Sequence, residues 1–271
     1  MFKFRSNKVR LLTQNALSIM LALVAVQTIA SDVYDAATNK LYIPSVQVGN
    51  TTYTDVVITV GELISAGGSS ETASNAYNIK SIYEDLVKGS ETNQFNLKGS
   101  VNGLNVTGSG VATNGNLVAS SFQGSPALAK TSNITMTLRI DGQTIPSAAS
   151  GQSYYDSNYN LLGQSGPEFE VVTSRNAYPT AAKVNDAGLL YESTVYTSSA
   201  KVSIIGTETT SYSITYDTEN SIIFTLVSIR KNLAGFVIQT GTANLRVTKD
   251  NVITRIFETS NDSTTFLTIS Y

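Results

Sequence analysis

The stretch Asn220–Arg230, NSIIFTLVSIR, decides the fold class of this chain. Its residues alternate between two largely apolar sets, one with Ile222, Phe224, Leu226 and Ser228 and the other with Ile223, Thr225, Val227 and Ile229. A period of two is typical of a β-strand, because successive side chains point to opposite faces of a sheet. Since both faces are largely apolar, this segment is predicted to be a central strand that is buried on both sides.

The same alternation continues over the rest of the chain from about residue 92. It predicts strands at 93–101, 104–113, 133–140, 143–155, 168–174, 188–197, 200–206, 208–216, 220–230, 236–248, 252–259 and 264–270. Pairs that tolerate left-handed backbone separate several of them: Asn102-Gly103, Asn114-Gly115, Asp141-Gly142 and Asp250-Asn251. Such pairs favour tight hairpins. The predicted fold is therefore an all-β antiparallel meander, either a sandwich or an open half-barrel.

One amphipathic helix precedes these strands. Ile79, Ile82, Tyr83, Leu86 and Val87 fall at helical spacing and so share one face. Ser74 or Asn75 is predicted to cap its start, and Gly89 after Lys88 predicts its end. Packing of the apolar face on the sheet is expected, with a partner groove or a membrane surface as the alternatives.

The first thirty residues have the layout of a cleavable signal peptide. Four basic residues precede an apolar run, Ala16–Val26, and the small-residue exit Thr28-Ile29-Ala30 follows. The run is shorter than the roughly 20 residues of a membrane-spanning helix. We therefore expect export to the periplasm, the cell surface or the medium, and no transmembrane helix in the mature chain. The further predicted divisions are an N-terminal β-hairpin at 31–64, a linker at 65–73, and the helix with its β domain at 74–271.

Composition excludes several kinds of chemistry. The chain contains no histidine, cysteine or tryptophan, so a Ser-His-Asp triad, a Cys-His pair and a His-ligated zinc site are impossible. Removal of residues 1–30 takes away four of the 18 basic residues and none of the 20 acids, leaving a net charge of −6. An acidic chain with scattered basic residues argues against a nucleic-acid partner. No cofactor or metal site is predicted.

The segment Leu41–Val60, LYIPSVQVGNTTYTDVVITV, reads as two β-branched runs that meet at Gly49-Asn50. A glycine in the first position suits a tight hairpin, and Pro44 predicts an edge strand or a bulge. The pattern LxIPSVxVGxxTYxxVxxxV resembles a hairpin found after the signal peptide in exported Gram-negative bacterial proteins of uncharacterised function. The stretches YYDSNYNLLGQ, EFEVVT and AKVNDAGLLYESTVYTSSAK are similar to segments of the same proteins. This resemblance implies an envelope or secreted bacterial protein and implies no activity.

Three motifs suggest chemistry. Asp156, Asn158 and Asn160 match the first ligand positions of a calcium loop, but Leu161 stands where glycine is needed and Pro167 where glutamate is needed. An Asx-stabilised turn is therefore the expected structure. Ser198 and Lys201 match the Ser-x-x-Lys pattern of penicillin-binding enzymes, yet Ser198 lies between predicted strands rather than at a helix start.

Glu168 and Glu170 form the third motif. They lie two residues apart in a predicted strand, so both side chains point to one face. Paired carboxylates of this kind occur in glycoside hydrolases, where two acids stand roughly 5–10 Å apart across a cleft. Two acids on a solvated strand face are the simpler interpretation, and no catalytic residue is assigned.

The last strand suggests a further alternative. Leu267 and Ile269 share a face with the terminal Tyr271, and outer-membrane barrels often end on such an aromatic-ended strand. The first expectation remains an exported, non-enzymatic binding or structural protein of the cell envelope, with an apolar or envelope ligand as one possibility. The alternatives are a carboxylate-dependent enzyme acting on glycans, with Asp156, Glu168, Glu170 and Glu192 as candidate acids, and an outer-membrane barrel.

Overall fold

The computed structural model describes the strands at residues 33–35, 40–48 and 51–59, and then residues 76–250 and 252–271. The first three strands, β1 Val33–Asp35, β2 Lys40–Val48 and β3 Thr51–Thr59, form a small antiparallel sheet in that order. The predictions of a signal peptide at 1–30, a turn at Gly49-Asn50 and a linker at 65–73 lie outside the described residues.

The rest of the described chain forms one short helix, α1, and one large antiparallel sheet. The helix is Ile79–Lys88, and the strands are β4 Glu91–Val101, β5 Leu104–Asn114, β6 Val118–Phe122, β7 Ser125–Ile140, β8 Gln143–Tyr155, β9 Leu161–Ser165, β10 Phe169–Arg175, β11 Ala187–Tyr196, β12 Ile204–Thr218, β13 Ser221–Asn232, β14 Val237–Thr248, β15 Ile253–Asp262 and β16 Thr265–Ser270. The all-β class with one short helix is therefore confirmed.

The sheet closes into a barrel of twelve strands, so the expected sandwich or open half-barrel is not what forms. From β7 to β16 each strand pairs with the next, as a meander requires. Two long-range pairings then complete the circle, between β16 and β4 and between β5 and β7. The short β6 pairs beside β7 and is not part of the ring. Closure leaves no free edge at the first and last strands.

The inner face of the barrel wall carries most of the buried apolar side chains, and the outer faces of β12 and β7 are polar. Inward-facing residues of neighbouring strands lie side by side in the register, as Ile214, Phe224 and Leu245 do, and all three are buried. The outward residues of β12 are hydroxyl side chains: Thr207, Thr209, Ser211, Ser213 and Thr215. Outward positions of β7 are likewise polar: Asn133, Thr135, Thr137 and Arg139. The apolar core therefore lies inside the barrel.

The prediction of burial on both faces of β13 holds for only one of them. Ile222 and Phe224 on the inner face are fully buried, whereas Ile223 and Val227 on the outer face are half-buried. A barrel has a single inside, so the outer face of a strand in its wall remains in contact with the surroundings.

Helix α1 closes one end of the barrel, the helix end, where β4 begins. Ile79 and Ile82 pack among inward residues of β11 to β14, while Val87 packs against Tyr155 and Leu161 on β8 and β9. The helix therefore crosses the opening. The helix ends at Lys88 before Gly89, which confirms the prediction. Its N-cap is Asn78, whose Oδ1 accepts a hydrogen bond from Ser81 N at 3.0 Å. The predicted caps, Ser74 and Asn75, lie outside the described residues.

Turn chemistry was predicted correctly at two hairpins. Asn102-Gly103 and Asp141-Gly142 have positive φ at both positions and join consecutive strands, as type I′ turns do. Asn114-Gly115 does not form such a turn, because β5 ends at Asn114 and a longer connection leads to β6. A third pair, Gln123-Gly124, forms the β6–β7 turn and was missed together with β6 and β9.

In the described part of the chain, no helix is both long and apolar enough to cross a membrane.

Candidate functional site

The barrel interior contains a cluster of four charged residues at Glu168, Glu170, Glu208 and Arg230, which we call the Arg230 cluster. Glu170 on β10 and Glu208 on β12 face inward, and Glu168 ends the β9–β10 turn. Arg230 lies opposite Glu208 in the β12–β13 register. The expectation that Glu168 and Glu170 share one face is met, since both interact with Arg230.

Arg230 holds two of these carboxylates directly. Its Nη1 lies 2.8 Å from Glu168 Oε2, and its Nη2 and Nε lie 2.9 and 3.0 Å from Glu208 Oε2. Arg230 is 1% exposed, Glu170 4% and Glu208 5%. Charges removed from water at this depth are stable only when they are paired and hydrogen-bonded. One guanidinium therefore faces three carboxyl groups and forms ion pairs with two of them, Glu168 and Glu208.

Burial of three carboxyl groups beside a single guanidinium raises the pKa values of the acids. Burial, followed by repulsion from Glu208, raises the pKa of Glu170 to about 8. Burial also raises the pKa of Glu208 and of Glu168, although Arg230 opposes both shifts. Glu170 is therefore mostly protonated at neutral pH, while Glu168 and Glu208 share the positive charge of Arg230.

The pKa of Glu170 predicts a specific pH dependence of stability. A carboxyl whose folded-state pKa exceeds its unfolded value stabilises the fold fully below the unfolded pKa, and that contribution is lost as the pH rises through the folded pKa. We expect Glu170→Gln to become progressively more stable than the wild type between about pH 4.5 and 8, by a few kcal/mol at the upper limit. Urea unfolding across this range measures the difference, and Glu192→Gln on the outer face is the control. A constant difference would contradict the assignment.

Several buried acceptors around the Arg230 cluster have no hydrogen-bond partner. These unpaired atoms are Gln164 Oε1, Glu168 Oε1, Glu170 Oε1, Thr210 Oγ1 and Gln239 Oε1. Gln239 is directly opposite Arg230 in the β13–β14 register, and Gln164 is directly opposite Glu170. Buried polar groups in native proteins almost always have partners. The cluster therefore has more unpaired acceptors than donors, since only the hydroxyl of Thr210 and the proton on Glu170 can serve them.

The strand pairing of the barrel wall is interrupted beside this cluster. β8 pairs along its whole length with β7, but β9 reaches only its last four residues, from Gln152 to Tyr155. In the described part of the chain, the edge of β8 from Gln143 to Gly151 therefore has no second strand partner. The inward-facing Ile145 and Ala149 are accordingly only half-buried. We call this gap in the strand pairing, between that edge and the β9–β10 turn, the β8 notch.

Pro146 protects the free edge of the β8 notch. The type I′ turn at Asp141-Gly142 makes Ile140 and Gln143 a hydrogen-bonded pair, and such pairs alternate along antiparallel strands. Pro146 therefore falls in a non-hydrogen-bonded pair with Thr137, so its nitrogen points to the free edge. Because proline has no N–H, this position offers no donor to a foreign strand.

Pro146→Thr should restore this donor and promote self-association. We expect a larger oligomeric fraction in sedimentation velocity as protein concentration rises, because an exposed edge with intact donors recruits strands. Ala148→Thr places the same side chain on the same outer face without adding an N–H, and it should behave as the wild type does. Equal association of both variants would mean that the side chain, and not the backbone donor, is responsible.

A second polar network joins the ends of the barrel sheet near α1. Arg255 on β15 donates to Glu91 Oε1 from Nε at 3.0 Å and from Nη2 at 2.6 Å, and to Glu258 Oε1 from Nη1 at 2.9 Å. The terminal Tyr271 hydroxyl donates to Glu258 Oε1 at 3.0 Å. Lys130 Nζ donates to the carbonyls of Leu86, Val87 and Gly89 at 2.7, 3.1 and 2.6 Å. These bonds hold the first and last strands and α1 in place.

The remaining predicted residues lie away from both networks. Asp156 Oδ1 accepts hydrogen bonds from the backbone N–H groups of Asn158 and Asn160, which confirms the Asx turn, and Arg175 forms a salt bridge with Oδ2 at 3.1 Å. Lys201 Nζ donates to Gln123 Oε1 in the β6–β7 turn. Glu192 is exposed on the outer face. Of the four candidate acids of the glycan hypothesis, the structure therefore brings together only Glu168 and Glu170.

Glu208 and Arg230 were missed as site residues. A β-bulge between Tyr216 and Thr218 shifts the β12–β13 register by one residue, so regular pairing back from residues 218 and 221 would have placed Glu208 opposite Lys231 instead of Arg230. No protein-family model, no curated protein and no solved structure matches this chain.

Proposed function

We propose that this protein is an exported, non-enzymatic binding module whose barrel stands in water and holds a small polar molecule at the Arg230 cluster. The observation that carries the proposal is the set of unpaired acceptors buried around Arg230. An interior with only a structural role would satisfy these groups or replace them by apolar side chains, which is often the more stable solution.

The polarity of the wall supports an aqueous environment. A closed barrel is common to this proposal and to the outer-membrane alternative, but a membrane barrel carries an apolar band on its outer face and a polar interior. Here the outward residues of β12 and β7 are mainly Thr, Ser and Asn, and the apolar outward residues of β13, such as Ile223 and Val227, lie opposite hydroxyl side chains of β12 and not in a continuous apolar band. Leu267 and Ile269 of the last strand are buried inside with Phe95 and Leu97, and Tyr271 packs against them.

The interior favours a polar ligand over a lipid-like one. In the described part of the barrel, the inward apolar side chains pack against one another and against α1 in contiguous clusters. The 370 Å³ cleft between the β4–β5 and β15–β16 turns is lined mainly by polar residues such as Asn102, Asp262 and Thr264. Five of the eight unpaired buried side-chain atoms in the described part of the chain, in contrast, lie around Arg230. The ligand is therefore expected to contact the polar part of the interior.

The glycan-acting enzyme is the competing proposal. Glu170 in its protonated form, beside a Glu208 that is bound to Arg230, resembles an acid and base pair. Both carboxyls are buried, however, so a glycan chain cannot reach them without displacing the wall. We expect no hydrolysis of chromogenic aryl glycosides; turnover that is lost in Glu170→Gln would overturn the non-enzymatic proposal.

Fractionation tests the environment of the barrel. Expression with residues 1–30 intact in a Gram-negative host should place the processed chain in the osmotic-shock fluid or the medium. Retention in salt-washed and carbonate-washed membranes, with release by detergent alone, would instead show a membrane barrel. A chain found in the cytosol with Met1 attached would contradict export itself.

Ligand stabilisation tests binding. A low-molecular-mass extract of the same envelope fraction should raise the melting temperature of the wild type, because a ligand that binds only the folded state stabilises it. Glu192→Gln should respond equally, since its side chain lies outside the barrel. Glu170→Met, which fills the site with an apolar group, should not respond. An equal shift for all three proteins would place binding elsewhere.

A further inference from the structure

The Arg230 cluster has more negative than positive groups. Three carboxyls surround one guanidinium, and in two of them, Glu168 and Glu170, the Oε1 atom has no hydrogen-bond partner. The neighbouring amide oxygens of Gln164 and Gln239 add two more unpaired acceptors. Gln239 is 5% exposed and lies directly opposite Arg230, so this acceptor is buried and aimed into the cluster.

We infer that this cluster binds a small organic cation, whose ammonium group donates hydrogen bonds to the free Oε1 atoms of Glu168 and Glu170. The inference rests on the proposed binding function and names its ligand class. An ammonium has three donors and no acceptor, which complements a group of acceptors that carries excess negative charge. Charge-assisted bonds of this kind are about twice as strong as neutral ones.

Other ligand classes fit this chemistry less well. An anion would meet two carboxylates that already occupy the donors of Arg230. Within the described residues, no group of three or more acids is placed to hold a metal ion. A neutral polyol would supply donors but would leave the excess charge uncompensated. The ammonium supplies both donors and charge.

The β8 notch gives such a cation a route to the cluster. Glu168 ends the β9–β10 turn that borders the notch, and its side chain is 12% exposed, more than Glu208 or Arg230. A cation that enters beside the turn meets this carboxylate first. Gln164 and Glu170 follow on the inner face of β9 and β10.

Binding should release a proton from Glu170. The groups that face this carboxyl are Gln164 on β9, Ser193 and Tyr191 on β11, Glu208 on β12, Arg230 on β13 and the neighbouring Glu168. Because Glu170 is mostly protonated below about pH 8, an ammonium that requires its ionised form displaces the proton. The apparent affinity should therefore rise about tenfold per pH unit up to pH 8 and then level off.

The experiment is calorimetric titration of the full chain with primary amines, from methylammonium to putrescine, each matched with the neutral alcohol of the same length at constant ionic strength. We expect at least one amine to bind about tenfold or more tightly than its alcohol. Titrations in buffers of different ionisation enthalpy should show release of about one proton at pH 7.

Glu170→Gln keeps the shape of the site and should weaken amine binding about tenfold or more while removing the pH dependence. Glu192→Gln is the matched control and should bind as the wild type does. Equal binding of amine and alcohol would overturn the cation inference and leave the proposed binding function intact. If no amine binds but the envelope extract still stabilises the wild type, the cation inference is likewise overturned and the proposed binding function is kept. Failure of both tests would overturn the proposed function itself.

Discussion

Arg230→Met is expected to destabilise the folded protein by about 3–5 kcal/mol at pH 7.5, the usual cost of removing one partner from a buried charge network. The substitution keeps much of the side-chain volume but leaves Glu168 and Glu208 without the guanidinium that now lies within 3.0 Å of each. Uncompensated carboxylates at this depth must either protonate or draw water into the barrel. Urea denaturation monitored by tyrosine fluorescence measures the loss.

The deficit of Arg230→Met should shrink as the pH falls. The pKa of each of the three acids is raised in the folded state, so their neutral forms suit the fold, and protonation towards pH 4.5 removes the unpaired charge. The double variant Glu208→Leu with Arg230→Met deletes one buried pair together and should recover part of the stability, because Glu168 still lacks its guanidinium. An Arg230→Met deficit that is independent of pH would show that packing, and not charge, is the cause.

Lys130→Met should detach the C-terminal turn of α1 and cost about 2–4 kcal/mol, because charged hydrogen bonds contribute about 1.5–3 kcal/mol and buried carbonyls lose their donor. Lys130 Nζ donates to three carbonyls at the end of the helix, where a cation also complements the helix dipole. The apolar stem of the side chain is preserved by methionine. Hydrogen exchange of the amides near Val87 should accelerate well beyond the global effect.

Lys88→Met is the matched control for this helix. Lys88 is exposed and pairs with Glu84 at 2.9 Å on the same helix surface, and such exposed pairs contribute little to stability. Its removal should leave amide exchange in the last turn nearly unchanged. A similar effect of both substitutions would mean that total helix charge, rather than the bonds of Lys130, anchors α1.

The alternation of residues along the chain determined the strands, and the local turn residues determined two of the hairpins. These features follow from backbone geometry and side-chain direction within a few residues. The same reasoning placed Glu168 and Glu170 on one face and identified α1 from its spacing. It also predicted the Asx turn at Asp156, because the side chain of an aspartate bonds its own backbone.

Only the tertiary structure decided which strand faces are enclosed in the barrel and which face the surroundings. Closure depends on the pairing of β4 with β16, which are far apart in the chain, and on the pairing of β5 with β7, which passes over β6. Local patterning carries no information on either pairing. Alternation also does not say which face becomes the inside of a closed sheet. Only closure buries Glu168, Glu170 and Glu208 around Arg230. Their raised pKa values and unpaired acceptors arise from that removal from water, since a solvated strand face would impose neither.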